Sequence, residues 1–144
     1  MSLYPPYQTY IPGEIVLKGS FVPNGVSTPT GLRDGNSNAI DTVAYVSPGL
    51  FTVTFADWMR AHLPEQLVTA KAFIMPVDST PVLVCTCEVI DGSWSLATRS
   101  FQILVTKVAD VGAAAYFDPA PSNPDAGSRV CFELCGSNLI VGKD

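Results

Sequence analysis

Charge is what this chain has least of. Only 15% of its residues are Asp, Glu, Lys or Arg, and eight cationic side chains stand against thirteen anionic ones, for a formal net charge of −5. The cations are scattered, with no basic run or stripe. That balance disfavours a role in gripping phosphate backbones, so no nucleic-acid partner is expected. Histidine is nearly absent too. His62 stands alone, which excludes a multi-histidine metal site and leaves little room for Ser-His-Asp or Cys-His catalysis. No apolar run approaches the ~20 residues that cross a bilayer, the VGAAAYF segment at 111–117 being far too short. No membrane partner is expected. The opening residues, MSLYPPYQTYIPGE, have neither a basic start nor an apolar h-region, so the expectation is synthesis in a cytoplasm without a secretory signal.

Other chemistry is missing as well. There is no phosphate-binding glycine loop, and the segment from Asp34 to Asn38 lacks the downstream glutamate of a calcium loop. Asp57, Glu65, Asp78, Glu88, Asp91 and Glu133 fall on different expected elements, and spacing does not pair them. No catalytic, cofactor-binding or metal-ligating residue is expected, and the chain is not expected to be an enzyme.

What is present is hydrophobicity with punctuation. A hydrophobic content of 47%, twelve prolines and eleven glycines describe a folded chain of short strands and many turns. With so few charges to cover its outside, part of the surface is expected to lie against partners. The block Asn38–Phe55 carries the strongest signal. It reads as a strand, a Ser47-Pro48-Gly49-Leu50 turn and a second strand whose Phe51, Val53 and Phe55 alternate with Thr52 and Thr54. The Pro-Gly pair suits a type II turn, whereas a bare two-residue hairpin prefers the primed types, so a longer or bulged connection is expected.

Further strands are expected at Glu14–Val22, Val68–Met75, Val82–Ile90, Phe101–Val108 and Arg129–Gly136, with a candidate short strand at Trp94–Thr98. One helical stretch lies within Ala56–Leu67, capped by Asp57, with Met59 and Leu63 on one face and Pro64 as its stop. The stretches Pro23–Ser37 and Asp110–Ser128 read as long turn-rich loops of the kind often used for contact. The fold expected is all-β, a mainly antiparallel β-sandwich or open barrel, with one short helix near residues 57–63 and a single domain over residues 14–144. Residues 1–13 read as an extended N-terminal arm. Its Tyr4, Pro5, Pro6, Tyr7, Tyr10 and Pro12 favour polyproline-like backbone and, with Ile11, supply contact area for a neighbouring subunit.

The cysteines form two pairs, Cys85/Cys87 and Cys131/Cys135, each pair on one face of its strand. Three readings are open: small half-buried apolar side chains, a cross-strand disulfide, or a metal site of poor spacing. Trp58 and Trp94 read as core or interface anchors, with a sugar-stacking face as the alternative.

Taken in order, Glu14–Phe21 (EIVLKGSF), Asn24-Gly25, Leu32-Arg33-Asp34-Gly35, Ile40–Val43, Pro48–Phe55 (PGLFTVTF) and a closing Val130–Leu134 strand resemble small structural proteins of tailed phages. The resemblance spans most of the chain. It is strongest over residues 14–55 and weakest over 76–125, and it departs from the family pattern at the cysteine pairs and the Tyr/Pro-rich arm. It implies a virion component, an auxiliary capsid decoration or cement protein on the head surface, made in the host cytoplasm. The implied partner is the major capsid protein, and the implied assembly is a homotrimer at local three-fold positions. The contact residues expected on this reading are those of the arm together with Leu32 and Arg33. The alternative is a tail or fibre-associated adhesion module that binds carbohydrate.

Overall fold

A computed structural model describes residues 14–34, 38–80, 82–110 and 116–137. It contains nine strands in two antiparallel sheets that pack face to face. Strands β1 (Glu14–Asn24), β2 (Ser27–Asp34), β5 (Gln66–Met75) and β9 (Arg129–Ser137) form one sheet in the order β2-β1-β9-β5. Strands β3 (Ile40–Ser47), β4 (Leu50–Phe55), β7 (Ser100–Asp110) and β6 (Leu83–Val89) form the other in the order β3-β4-β7-β6, and β8 (Tyr116–Pro121) pairs with β7. β2 lies beside β3 and β5 beside β6, so the edges of the two sheets meet on both sides. The expected all-β sandwich architecture is what forms.

Alternation builds the core. Phe51, Val53 and Phe55 from β4, Phe101, Ile103 and Val105 from β7, and Val130, Phe132 and Leu134 from β9 all point inward and are buried. Phe101 meets Phe132 edge-on at 5.0 Å and stacks near Phe55 at 6.0 Å, while Phe21 meets Phe51 at 5.2 Å. Each such ring pair adds about 0.5–1.5 kcal/mol beyond its buried area. The rings need room, and Gly19 provides it: a Cβ there would sit 2.6 Å from the Phe132 ring.

The Asn38–Phe55 hairpin forms as expected, and its turn is tight. Ser47 pairs with Leu50 around Pro48-Gly49, with the irregularity displaced into a bulge between Tyr45 and Ser47. Gly49 has φ +76°, and a Cβ on it would lie 2.3 Å from the Val105 carbonyl oxygen. Val105 is the meeting point of two neighbours. Its N–H donates to Gly49 at 2.7 Å and its carbonyl accepts from Ser122 at 3.1 Å. β4 therefore pairs with the first half of β7 and β8 with the second half, on the same side.

Four expectations need correction. The stretch Pro23–Ser37 is not a loop: after the Asn24-Gly25 turn, with Gly25 at φ +57°, it returns as β2, an edge strand paired to β1. Asp110–Ser128 likewise contains β8, whose Pro119 and Pro121 are tolerated because it is short and joins only the end of β7. Trp94–Thr98 is not a strand but a turn region with one isolated bridge, Ser95 to Ser100. The helix is a six-residue 3-10 turn, Asp57–His62, entered from Ala56 without a side-chain cap. Asp57 instead pairs with Arg99 at 3.3 Å and Arg60 at 3.7 Å. Met59 and Leu63 still plug one end of the core, both 3% exposed. The arm, residues 1–13, lies outside the described residues.

Candidate functional site

Of the residues expected to make contact, Tyr4, Pro5, Pro6, Tyr7, Tyr10, Ile11 and Pro12 fall outside the described residues. Leu32 and Arg33 sit on the edge strand β2 rather than in a loop, and both are exposed. Arg33 is paired in register with Ser20 of β1, which is paired in turn with Cys131 of β9. In an antiparallel ladder directly opposed residues share a face, so Arg33 joins the outer face of the β2-β1-β9-β5 sheet.

That face is organised in cross-strand rows. Val16, Cys135 and Thr69 form one row, Lys18, Glu133 and Lys71 the next, and Ser20, Cys131 and Phe73 a third. Met75 and Arg129 pair beyond them. Glu133 takes Lys18 at 3.6 Å and Lys71 at 3.8 Å, so one carboxylate serves two ammonium groups. Arg129 donates to neutral oxygens only, the Ser20 hydroxyl at 3.0 Å and the Gly31 carbonyl at 2.6 Å. Half of the eight cations of the chain thus gather on one face of an acidic protein. The periodicity of each strand puts Lys18, Lys71 and Glu133 at outward positions. Their convergence depends on β1 and β5 flanking β9, a pairing that spacing along the chain does not reveal.

The cysteines divide between the two sheets, and all four are free. Cys85 and Cys87 are half-buried against the core; Cys131 and Cys135 lie on the outer face. Burial pushes the Cys85 thiol up. It pushes Cys87 further, to about 12, helped by the nearby Cys131, Cys85 and Glu88. Burial also raises Cys131, against the pull of Arg129 and Arg33. Cys135 is raised first by its hydrogen bond to the Glu14 carboxylate, to which its thiol donates at 3.1 Å. All four thiols are protonated at neutral pH, which is the opposite of what nucleophilic or metal-binding cysteine chemistry requires. Among the described residues no three His, Cys, Asp or Glu side chains converge to hold a metal ion.

The tryptophans have separate roles. Trp94 is half-buried, edge-on to Phe55 at 6.2 Å, and its indole N–H donates to the Pro64 carbonyl at 3.1 Å. Trp58 is 53% exposed at the end of the sandwich, beside the exposed His62 ring at 6.5 Å. An open groove of about 350 Å³ runs between the start of β5 and the turn after β6, with Leu67, Val68, Ile90 and Trp94 as apolar walls and Asp91 at its rim. A second, of about 310 Å³, lies between the β1–β2 turn and residues 123–127. His62 lines neither groove. No described helix is long and apolar enough to cross a membrane.

No family model, no curated protein and no solved structure matches this chain.

Proposed function

We propose that the chain is a phage virion structural protein, an auxiliary decoration or cement protein that binds the major capsid protein and stabilises the head shell. The observation that carries this reading is where the resemblance falls in the fold. The segments similar to tailed-phage structural proteins are β1, the turn after it, the end of β2, the β3–β4 hairpin and β9, which supply Phe21, Phe51, Phe55, Phe132 and Leu134 to the core. The scaffold of such a protein is thereby accounted for strand by strand. A cement protein needs broad contact surface and no active site, and the low charge and exposed apolar residues of this chain serve that need. The arm of residues 1–13 and the edge strand bearing Leu32 and Arg33 are the contact segments on this reading.

The exposed Trp58, with His62 against it, is the one feature that favours the alternative of a carbohydrate-binding module on the tail or a fibre. One experiment separates the two. Purified protein is mixed with empty, expanded capsids of its own phage and sedimented, and in parallel passed over immobilised host glycans. Cosedimentation with capsids, weakened by deletion of residues 1–13 while the melting temperature holds, supports decoration. Retention on glycans without capsid binding, lost in Trp58→Ala, overturns it in favour of adhesion.

A further inference from the structure

The outer face of the β2-β1-β9-β5 sheet is charged against the rest of the molecule. Lys18, Arg33, Lys71 and Arg129 lie on it with the carboxylates of Glu14 and Glu133, four cations against two anions. That face is formally +2 in a chain of −5, which leaves −7 elsewhere. Apolar groups stand among these cations: Phe73 is 48% exposed and Met75 52% exposed, on the same side of β5 as Lys71. Arginine with exposed aromatic and methionine side chains is the composition of a protein-binding surface, and +2 spread over four strands is thin for a nucleic-acid grip.

The complement is present on the same chain. At the opposite end of β5, the open groove of about 350 Å³ is apolar along Val68 and Trp94 and acidic at Asp91, and Val68 is 66% exposed. The exposed Glu88 precedes it on β6. Basic-and-apolar at one end and acidic-and-apolar at the other is the layout of a head-to-tail contact between like subunits.

We infer that the outer face around Arg33, Lys71, Phe73 and Met75 docks on the acidic Val68/Asp91 groove of a second copy of this chain. The contact is heterologous, so it builds a ring where the rotation closes and a filament where it does not. It goes beyond the capsid-binding reading and is tested on the purified protein alone, so either can fail without the other.

The test is sedimentation velocity in reductant, which keeps the thiols out of the result, at ~50 mM and ~0.5 M salt, across which screening of exposed charges rises steeply. The wild type is expected to sediment above its 15.3 kDa monomer mass at low salt and to shift towards monomer at high salt. R33E/K71E is expected to be monomeric at both, with unchanged melting temperature and far-ultraviolet circular dichroism, because both side chains are exposed. D91K alone is expected to weaken assembly, and mixing D91K with R33E/K71E to restore hetero-assembly. A monomeric wild type at high micromolar concentration overturns the inference, as does an oligomer that R33E/K71E and D91K leave intact. A monomeric wild type whose face instead binds an oligonucleotide, with binding lost in R33E/K71E, also overturns it and reassigns the surface to phosphate.

Discussion

Cys87 shows how much a single inward position is worth. The spacing of β6 puts Leu83, Cys85, Cys87 and Val89 on one face, and that much is legible because side chains alternate with period two. That this face is the inner one follows only from the packing of β6 beside β5. The consequence is a pH dependence. The thiol titrates at its ordinary value of 9.0 in the unfolded chain and at about 12 in the folded one, chiefly through burial. Below pH 9 both states keep the proton, and the group gives stability no slope. Between pH 9 and 12 the unfolded state releases its proton first, so folding free energy is lost as pH rises through that window. Cys87→Val removes the titration while keeping an apolar side chain of similar size. Its stability at pH 7 is expected within about 1.5 kcal/mol of wild type, and its melting temperature is expected to fall less steeply above pH 9. Parallel alkaline limbs for the two proteins would falsify the assignment.

At the scale of elements, one side chain joins two hairpins. Asn123, just after β8, accepts a hydrogen bond from the Gly49 N–H at 3.1 Å and donates one to the Gly25 carbonyl at 2.7 Å. It therefore ties the β3–β4 turn to the β1–β2 turn across the two sheets. Asn123→Ala leaves a donor on Gly49 and an acceptor on Gly25 without this partner, at an expected cost of about 1–3 kcal/mol in urea unfolding. Asn123→Asp keeps the acceptor and loses the donor, and is expected to fall between. A change of less than about 0.5 kcal/mol for alanine, the size seen at ordinary surface sites, would show that the turns hold without it. Neither of these contacts was legible, since the partners lie 74 and 98 residues away in the chain. The same limit explains β2 and β8. Their Gly and Pro content reads as loop by local propensity, and each becomes a strand because an existing edge, β1 or β7, supplies hydrogen bonds. Strands whose own alternation is strong, β4 and β9 above all, were legible without help. Of the candidate site, Arg33 was legible as a contact residue, while its company of Lys18, Lys71 and Arg129 was not, because a sheet face is assembled from strands far apart in sequence.

The whole molecule closes around its last described strand. β1 and β5 do not pair with each other; both pair with β9, which lies between them with Val130, Phe132 and Leu134 at 0–2% exposure. Glu14 meets Ser137 and Phe21 meets Val130 in this ladder, so sheet closure joins the two ends of the described fold. Non-local pairing of this kind places folding in the slow, millisecond-to-second range for a domain of this class. It also makes the fold all-or-none with respect to β9. Without that strand, β1 and β5 are left with unpaired inner edges, and Phe55 and Phe101 lose the Phe132 ring that packs against them. A fragment ending at residue 128 is therefore expected to lack a cooperative thermal transition and to show no slowly exchanging amides. In the intact protein, hydrogen exchange is expected to be slowest in β9 and β7, each paired on both sides, and faster in the edge strands β2 and β8. A sharp melt from the fragment, or β2 amides as protected as those of β9, would mean that the sandwich is held by its hairpins separately and that β9 is not what joins them.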